Sequence, residues 1–137
     1  MKKIILASLI LIFVSCKSEE KFEKDSIKKL YKSLKEHSEF ESDLKENSLV
    51  QFLHNISIPE LKKGRKVESE SLFENFKCDC RDKLSISYSK EKELFELKID
   101  ESFFEKELDW CPETTYVFSF KMENNKITEV KLHQIAG

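Results

Sequence analysis

Leu84-Ser85-Ile86-Ser87-Tyr88 and Phe95-Glu96-Leu97-Lys98-Ile99 decide the fold class. In each run apolar and polar residues alternate with a period of two, which sends every second side chain to one face of a β-strand. The two apolar sets differ in the parity of their numbers, so they share a face only if the connecting loop has an even number of residues. A turn of two or four residues within 89–94 meets that condition.

Further along, Tyr116, Phe118, Phe120 and Met122 line one face of another strand, and the returning chain offers Val130 and Leu132. A two-residue Asn124-Asn125 turn would set Phe118 against Lys131 and Phe120 against Glu129. A three-residue loop, Glu123-Asn124-Asn125 with Asn125 in the left-handed region, instead pairs Phe120 with Thr128, Phe118 with Val130 and Tyr116 with Leu132. That register is the one expected, because Asn tolerates positive φ.

Towards the N-terminus the period becomes helical. Ile27, Leu30, Tyr31 and Leu34 fall at i, i+3, i+4 and i+7 within a helix expected over 22–37, with Asp25 or Ser26 as its cap. A second helix is expected over 42–55, with Leu49, Phe52, Leu53 and Ile56 on one face and Ser48 and Gln51 as a capping box. Pro59 and Gly64 close that half, and a short third helix over 69–76 would carry Leu72, Phe73 and Phe76. Helices followed by an antiparallel meander give an α+β domain, with N-terminal helices packed on a sheet of about four strands. The ending from Tyr116 to Leu132 resembles the final hairpin of the cystatin-like or nuclear-transport-factor-2-like fold. That resemblance implies a bent sheet wrapped around a cone-shaped pocket.

The chain opens with Met1-Lys2-Lys3 and an apolar stretch from Ile4 to Val14, too short to span about 30 Å of hydrocarbon as a helix. It has the form of a secretory signal. Phe13-Val14-Ser15-Cys16 resembles the lipobox of bacterial lipoprotein precursors, with Phe13 where Leu is usual. The resemblance implies cleavage after Ser15 and acylation of Cys16 by diacylglyceryl and, commonly, an amide-linked palmitate-type chain. Two or three chains hold a protein on a bilayer where one would exchange. The expected layout is therefore a signal peptide at 1–15, a lipidated tether at 16–25 and one domain at 26–137. Lys17-Ser18-Glu19-Glu20 is similar to surface-export signals of some outer-membrane lipoproteins, which implies a cell-envelope, outer-membrane location.

Of the 11 Phe residues only Phe13 lies in the leader, so the rest are available for a folded core. Acidic residues outnumber basic ones, 26 to 24, which gives no electrostatic footprint for nucleic acid. The densest positive run, Lys62-Lys63-Gly64-Arg65-Lys66, reads as a solvated loop, with an anion or a membrane headgroup as the alternative contact.

Cys78, Cys80 and Cys111 are disulfide candidates, since an oxidising compartment permits a bridge. Either of the first two joined to Cys111 closes a loop of roughly 32–34 residues, valued at about 3–4 kcal/mol by chain entropy. Free thiols and a zinc site completed by His37, His54 or His133 are the alternatives, the latter disfavoured by the tight Cys-x-Cys spacing. No cofactor is expected. No nucleophile elbow, His-Glu-x-x-His or phosphate loop is present. Enzymes on the resembled fold use an Asp or His within the cone, which points to His54, Asp109 and His133, each of which also reads as a surface or capping residue. Phe103, Phe104, Trp110 and Tyr116 read as core packing, with a ligand-contacting rim as the alternative. The sequence therefore favours a membrane-anchored, non-enzymatic binding or interaction module, and a small envelope enzyme is the rival.

Overall fold

The computed structural model describes residues 20–69, 74–75, 80–102, 107 and 112–136. The helical stripe forms α1 (Lys24–Glu36), in which Ile27, Leu30 and Leu34 are fully buried. No side chain caps its start; the boundary residue is Glu23, and Ser26 instead donates from Oγ to the carbonyl of Asn125 at 3.0 Å. α2 (Glu46–His54) begins later than expected and buries Leu49 and Leu53. The Ser48–Gln51 capping box does not form, because Ser48 lies within the first turn rather than ahead of it. α3 (Ile58–Lys62) was not foreseen: Pro59, read as a stop, sits at its first turn, where a missing N–H costs nothing.

The strands are β1 (Val67–Glu68), β2 (Glu74–Asn75), β3 (Cys80–Arg81), β4 (Lys83–Ser89), β5 (Leu94–Ser102), β6 (Glu113–Glu123) and β7 (Lys126–Ala136). Five of them make an antiparallel sheet in the order β1-β4-β5-β6-β7, one strand more than expected; β2 and β3 pair separately. Glu74 and Asn75 are extended, so the short helix expected over 69–76 is not formed there; residues 70–73 and 76 lie outside the described set. A helix of that length holds only through tertiary packing.

The β4–β5 hairpin has the expected parity. Its loop is the four residues 90–93, and Leu84, Ile86 and Tyr88 face Ile99, Leu97 and Phe95. The β6–β7 hairpin departs from expectation. Its turn is the two-residue Asn124-Asn125, with φ of 50° and 62°, and Glu123 pairs with Lys126. The apolar face survives because β7 carries two bulges. Glu129 (φ 53°) is one extra residue opposite Phe120, so Phe118 pairs with Leu132 rather than Lys131, and His133 is a second extra residue beyond that pair.

The helices cover one face of the sheet. Phe22, Phe95 and Phe120 interlock at 5.4–6.1 Å, and Phe40 sits edge-on to Tyr116 and Phe118 at 4.8 and 5.0 Å. Each such buried side chain contributes about 1.5–3 kcal/mol over leaving it in water. Packed structure begins ahead of the expected boundary at residue 26. Phe22 is 1% exposed, Ile58 N donates to the Glu20 carbonyl at 2.9 Å, and Lys21 bridges Ser57. Among the described residues no helix is long and apolar enough to cross a membrane.

Candidate functional site

The inner, helix-facing register of β5 runs Phe95, Leu97, Ile99 and then Glu101; that of β4 runs back from Leu84 to Asp82. Alternation thus delivers two carboxylates to the core side where both apolar runs end. Carrying the β4–β5 register on by one residue sets Asp82 opposite Glu101, a like-charged pair that costs stability unless neighbours compensate. Asp82 is held by the backbone N–H of Ser102, which donates to its Oδ1 at 2.9 Å.

The loop between α1 and α2 closes over this end. Buried Ser42 donates from Oγ to Glu101 Oε1, and its own Oγ accepts from Leu44 N at 2.9 Å. Lys35, in the last turn of α1, donates to the Ser42 carbonyl and lies over the rings of Tyr31 and Phe40. Tyr31 donates from its hydroxyl to the Leu44 carbonyl at 2.9 Å. These contacts frame an open cleft of about 610 Å³ lined by Tyr31, Lys35, Asp43, Lys45 and Asp82.

Electrostatics at this end disfavour full ionisation. Burial, then the nearby charges of Asp82 and Asp43, push the Glu101 carboxyl up to about 7, against the opposing pull of Lys35. Asp82 is raised by burial and by Asp43, although the Ser102 N–H resists. The Tyr116 hydroxyl is raised by burial and by Glu101. This end of the sheet can therefore hold a proton on the Glu101 carboxyl near neutral pH. Among the described residues no group of three His, Cys, Asp or Glu is placed to hold a metal ion.

Most residues singled out from the sequence are not brought to this cleft. Cys16, Cys78, Cys111, Phe103, Phe104, Asp109 and Trp110 lie outside the described residues; of Cys80 only the backbone, in β3, is described. Tyr116 packs in the core. His37 closes α1 with Nδ1 2.9 Å from the Ser33 carbonyl and its ring edge-on to Phe118. His54 ends α2 with its Nδ1 buried and unpartnered among the described residues. His133, on its bulge, meets Ser119 Oγ on the outer face of the sheet, the side away from the apolar core. The cleft residues Lys35, Ser42, Asp43 and Asp82, and Glu101 bonded to Ser42, were not read from the sequence, although two apolar alternations each ending one step later in a carboxylate were there to be seen. Compared with known proteins, the chain matches no family model, no curated protein and no solved structure.

Proposed function

We propose that this chain is a lipid-anchored lipoprotein of the cell envelope, held in the outer membrane through acylated Cys16 after loss of residues 1–15. Its domain acts as a non-enzymatic binding or interaction module, and the cleft bounded by Lys35, Asp43 and Asp82 is its recognition surface. One observation carries the binding reading: the side of the sheet that a cone-shaped pocket would occupy is filled by Phe22, Phe40, Phe95, Phe118 and Phe120. The polar opening lies at the end of the sheet instead. A meander with helices on one face also supports the finer cystatin-like or nuclear-transport-factor-2-like architecture. A bridge from Cys78 or Cys80 to Cys111 belongs to the same reading, since the envelope is oxidising.

Intact mass of the protein purified from its native membrane, with and without reduction before alkylation, tests the anchor and the bridge together. The expected result is a chain starting at Cys16 with added acyl mass and one alkylated thiol before reduction. An unprocessed, unacylated chain removes the anchor, and three alkylated thiols without reduction remove the bridge.

A second reading, a small envelope enzyme, is favoured by Glu101, whose carboxyl is pushed up to about 7 by burial and by Asp82 and Asp43, near the range suited to a general acid or base. Complementation of a deletion strain separates the two. Glu101→Gln, which keeps shape and the bond to Ser42 beside the cleft, retains function if the domain only binds and abolishes it if Glu101 moves a proton.

A further inference from the structure

Resting on the lipoprotein reading above, we propose that the domain sits on the bilayer by one particular end. The basic loop Lys62-Lys63-Gly64-Arg65-Lys66 lies on anionic lipid headgroups there, and the acid-lined cleft is turned away from the membrane.

Glu20 and Lys21 are fastened to Ser57 and Ile58 at the head of α3, and Phe22 is locked against Phe95 and Phe120. From Cys16 to Glu20 the chain reaches at most about 14 Å, at roughly 3.5 Å per residue. A tether that short holds whatever surrounds the head of α3 close to the lipid. The basic loop follows directly: Lys62 ends α3, about 6 Å of helix rise from Ile58. Lys62, Lys63, Arg65 and Lys66 are all exposed, and Gly64 at φ 102° turns the backbone between them.

The same end carries the β4–β5 turn, since Lys62 Nζ lies 5.8 Å from the Tyr88 ring centroid. It also carries the Asn124-Asn125 turn, to which Ser26 is bonded. Lys21 and Lys24 add positive charge beside the strap, against Glu20, Glu23 and Asp25. Glu60 and Glu68 meet Lys63 and Lys66 at 3.5 and 3.4 Å on exposed side chains. Such pairs contribute little in water, so exchanging them for lipid phosphates costs little. Glu101, by contrast, is six residues further along β5 than Phe95, about 20 Å away. The densest run of positive charge thus lies beside the tether, and the carboxylates Asp82 and Glu101 lie at the far end of the sheet.

Lysine footprinting on the acylated full-length mature chain tests this, with the probe a bilayer of phosphatidylcholine alone or mixed with phosphatidylglycerol. In the mixed vesicles, acylation of Lys62, Lys63 and Lys66 by a water-soluble ester is expected to slow at least fivefold relative to neutral vesicles. That is about the effect of one basic side chain on an anionic surface. Lys35 and Lys45, at the far end, keep their rates. The slowing disappears near 1 M salt, where the Debye length falls to about 3 Å. It is also lost at Lys62 and Lys63 in an Arg65→Glu, Lys66→Glu variant, whose substitutions are exposed and leave the core intact. Equal rates in the two kinds of vesicle, or slowing at Lys35 and Lys45 instead, overturn the orientation while leaving the anchor standing. A chain whose intact mass shows no acyl group overturns both.

Discussion

Glu101 accepts a hydrogen bond from Ser42 at a position where ionisation is resisted, and its titration sets a pH dependence of known sign. Its native pKa of about 7 lies above the ordinary 4.5, so the fold binds this proton more tightly than the unfolded chain does. The resulting stabilisation is complete below pH 4.5 and is lost as the pH rises through 7. Glu101→Gln lacks that loss. Urea unfolding at pH 5.5 and 8.5 is expected to show the variant's advantage over wild type growing with pH. The gain is on the order of 1 kcal/mol, well short of the full shift because Glu101 is only half-buried. Asn125 offers a second test at this scale. With φ of 62° it occupies a left-handed position where Gly is better still, so Asn125→Gly is expected to stabilise by about 0.5–1 kcal/mol in thermal unfolding. Asn125→Val is expected to destabilise, since a β-branched residue resists positive φ.

At the scale of the element, the β6–β7 hairpin shows how a turn and a hydrophobic pattern that disagree are reconciled. The Asn-Asn turn imposes a register that places Glu129 opposite Phe120, and the bulge at Glu129 resets it by one residue. Removing Glu129 entirely would leave Val130 opposite Phe120 and Leu132 opposite Phe118, in a regular ladder. That deletion is expected to cost less than about 1 kcal/mol, since only a strained φ and the exposed pair with Lys121 are lost. Deleting Val130 instead puts the Glu129 carboxylate on the apolar face and is expected to cost about 1–3 kcal/mol. Equal losses from the two deletions would show that the bulge does not set the phase.

For the whole molecule, Phe22 joins parts that are far apart in sequence. It precedes α1, touches β5 and β6, and belongs to the strap that ends at α3. Phe22→Ala is expected to cost about 3–5 kcal/mol in urea unfolding, as a large buried ring is lost with little room for collapse. Because the strap lies in the same contacts, the variant is also expected to expose the Ile58 amide, bonded to the Glu20 carbonyl, to hydrogen exchange before global unfolding. A variant as stable as wild type would mean that the strap is only laid on the surface. The packing also gives the molecule two unlike ends, one with the strap and basic loop, the other with the carboxylates Asp82 and Glu101.

Local periodicity in the amino-acid sequence determined the helical face of Ile27, Leu30 and Leu34, the two alternating strands and the even loop between them, because each needs only neighbours within one turn or one hairpin. Helix starts were less legible: Ser48 and Asp25 look like caps, but the ends are set by where the chain must bend to reach the sheet. The register of the last hairpin was decided by tertiary structure, since the Phe face had to meet the helices whatever the turn preferred. So was the acidic end of the sheet, where Lys35, Ser42, Asp82 and Glu101 come together from four separated segments and no short-range pattern records the meeting. The neighbourhood of strap and basic loop is of the same kind: sequence supplies the charges, and only the packing of Phe22 and Ile58 brings the two to one end.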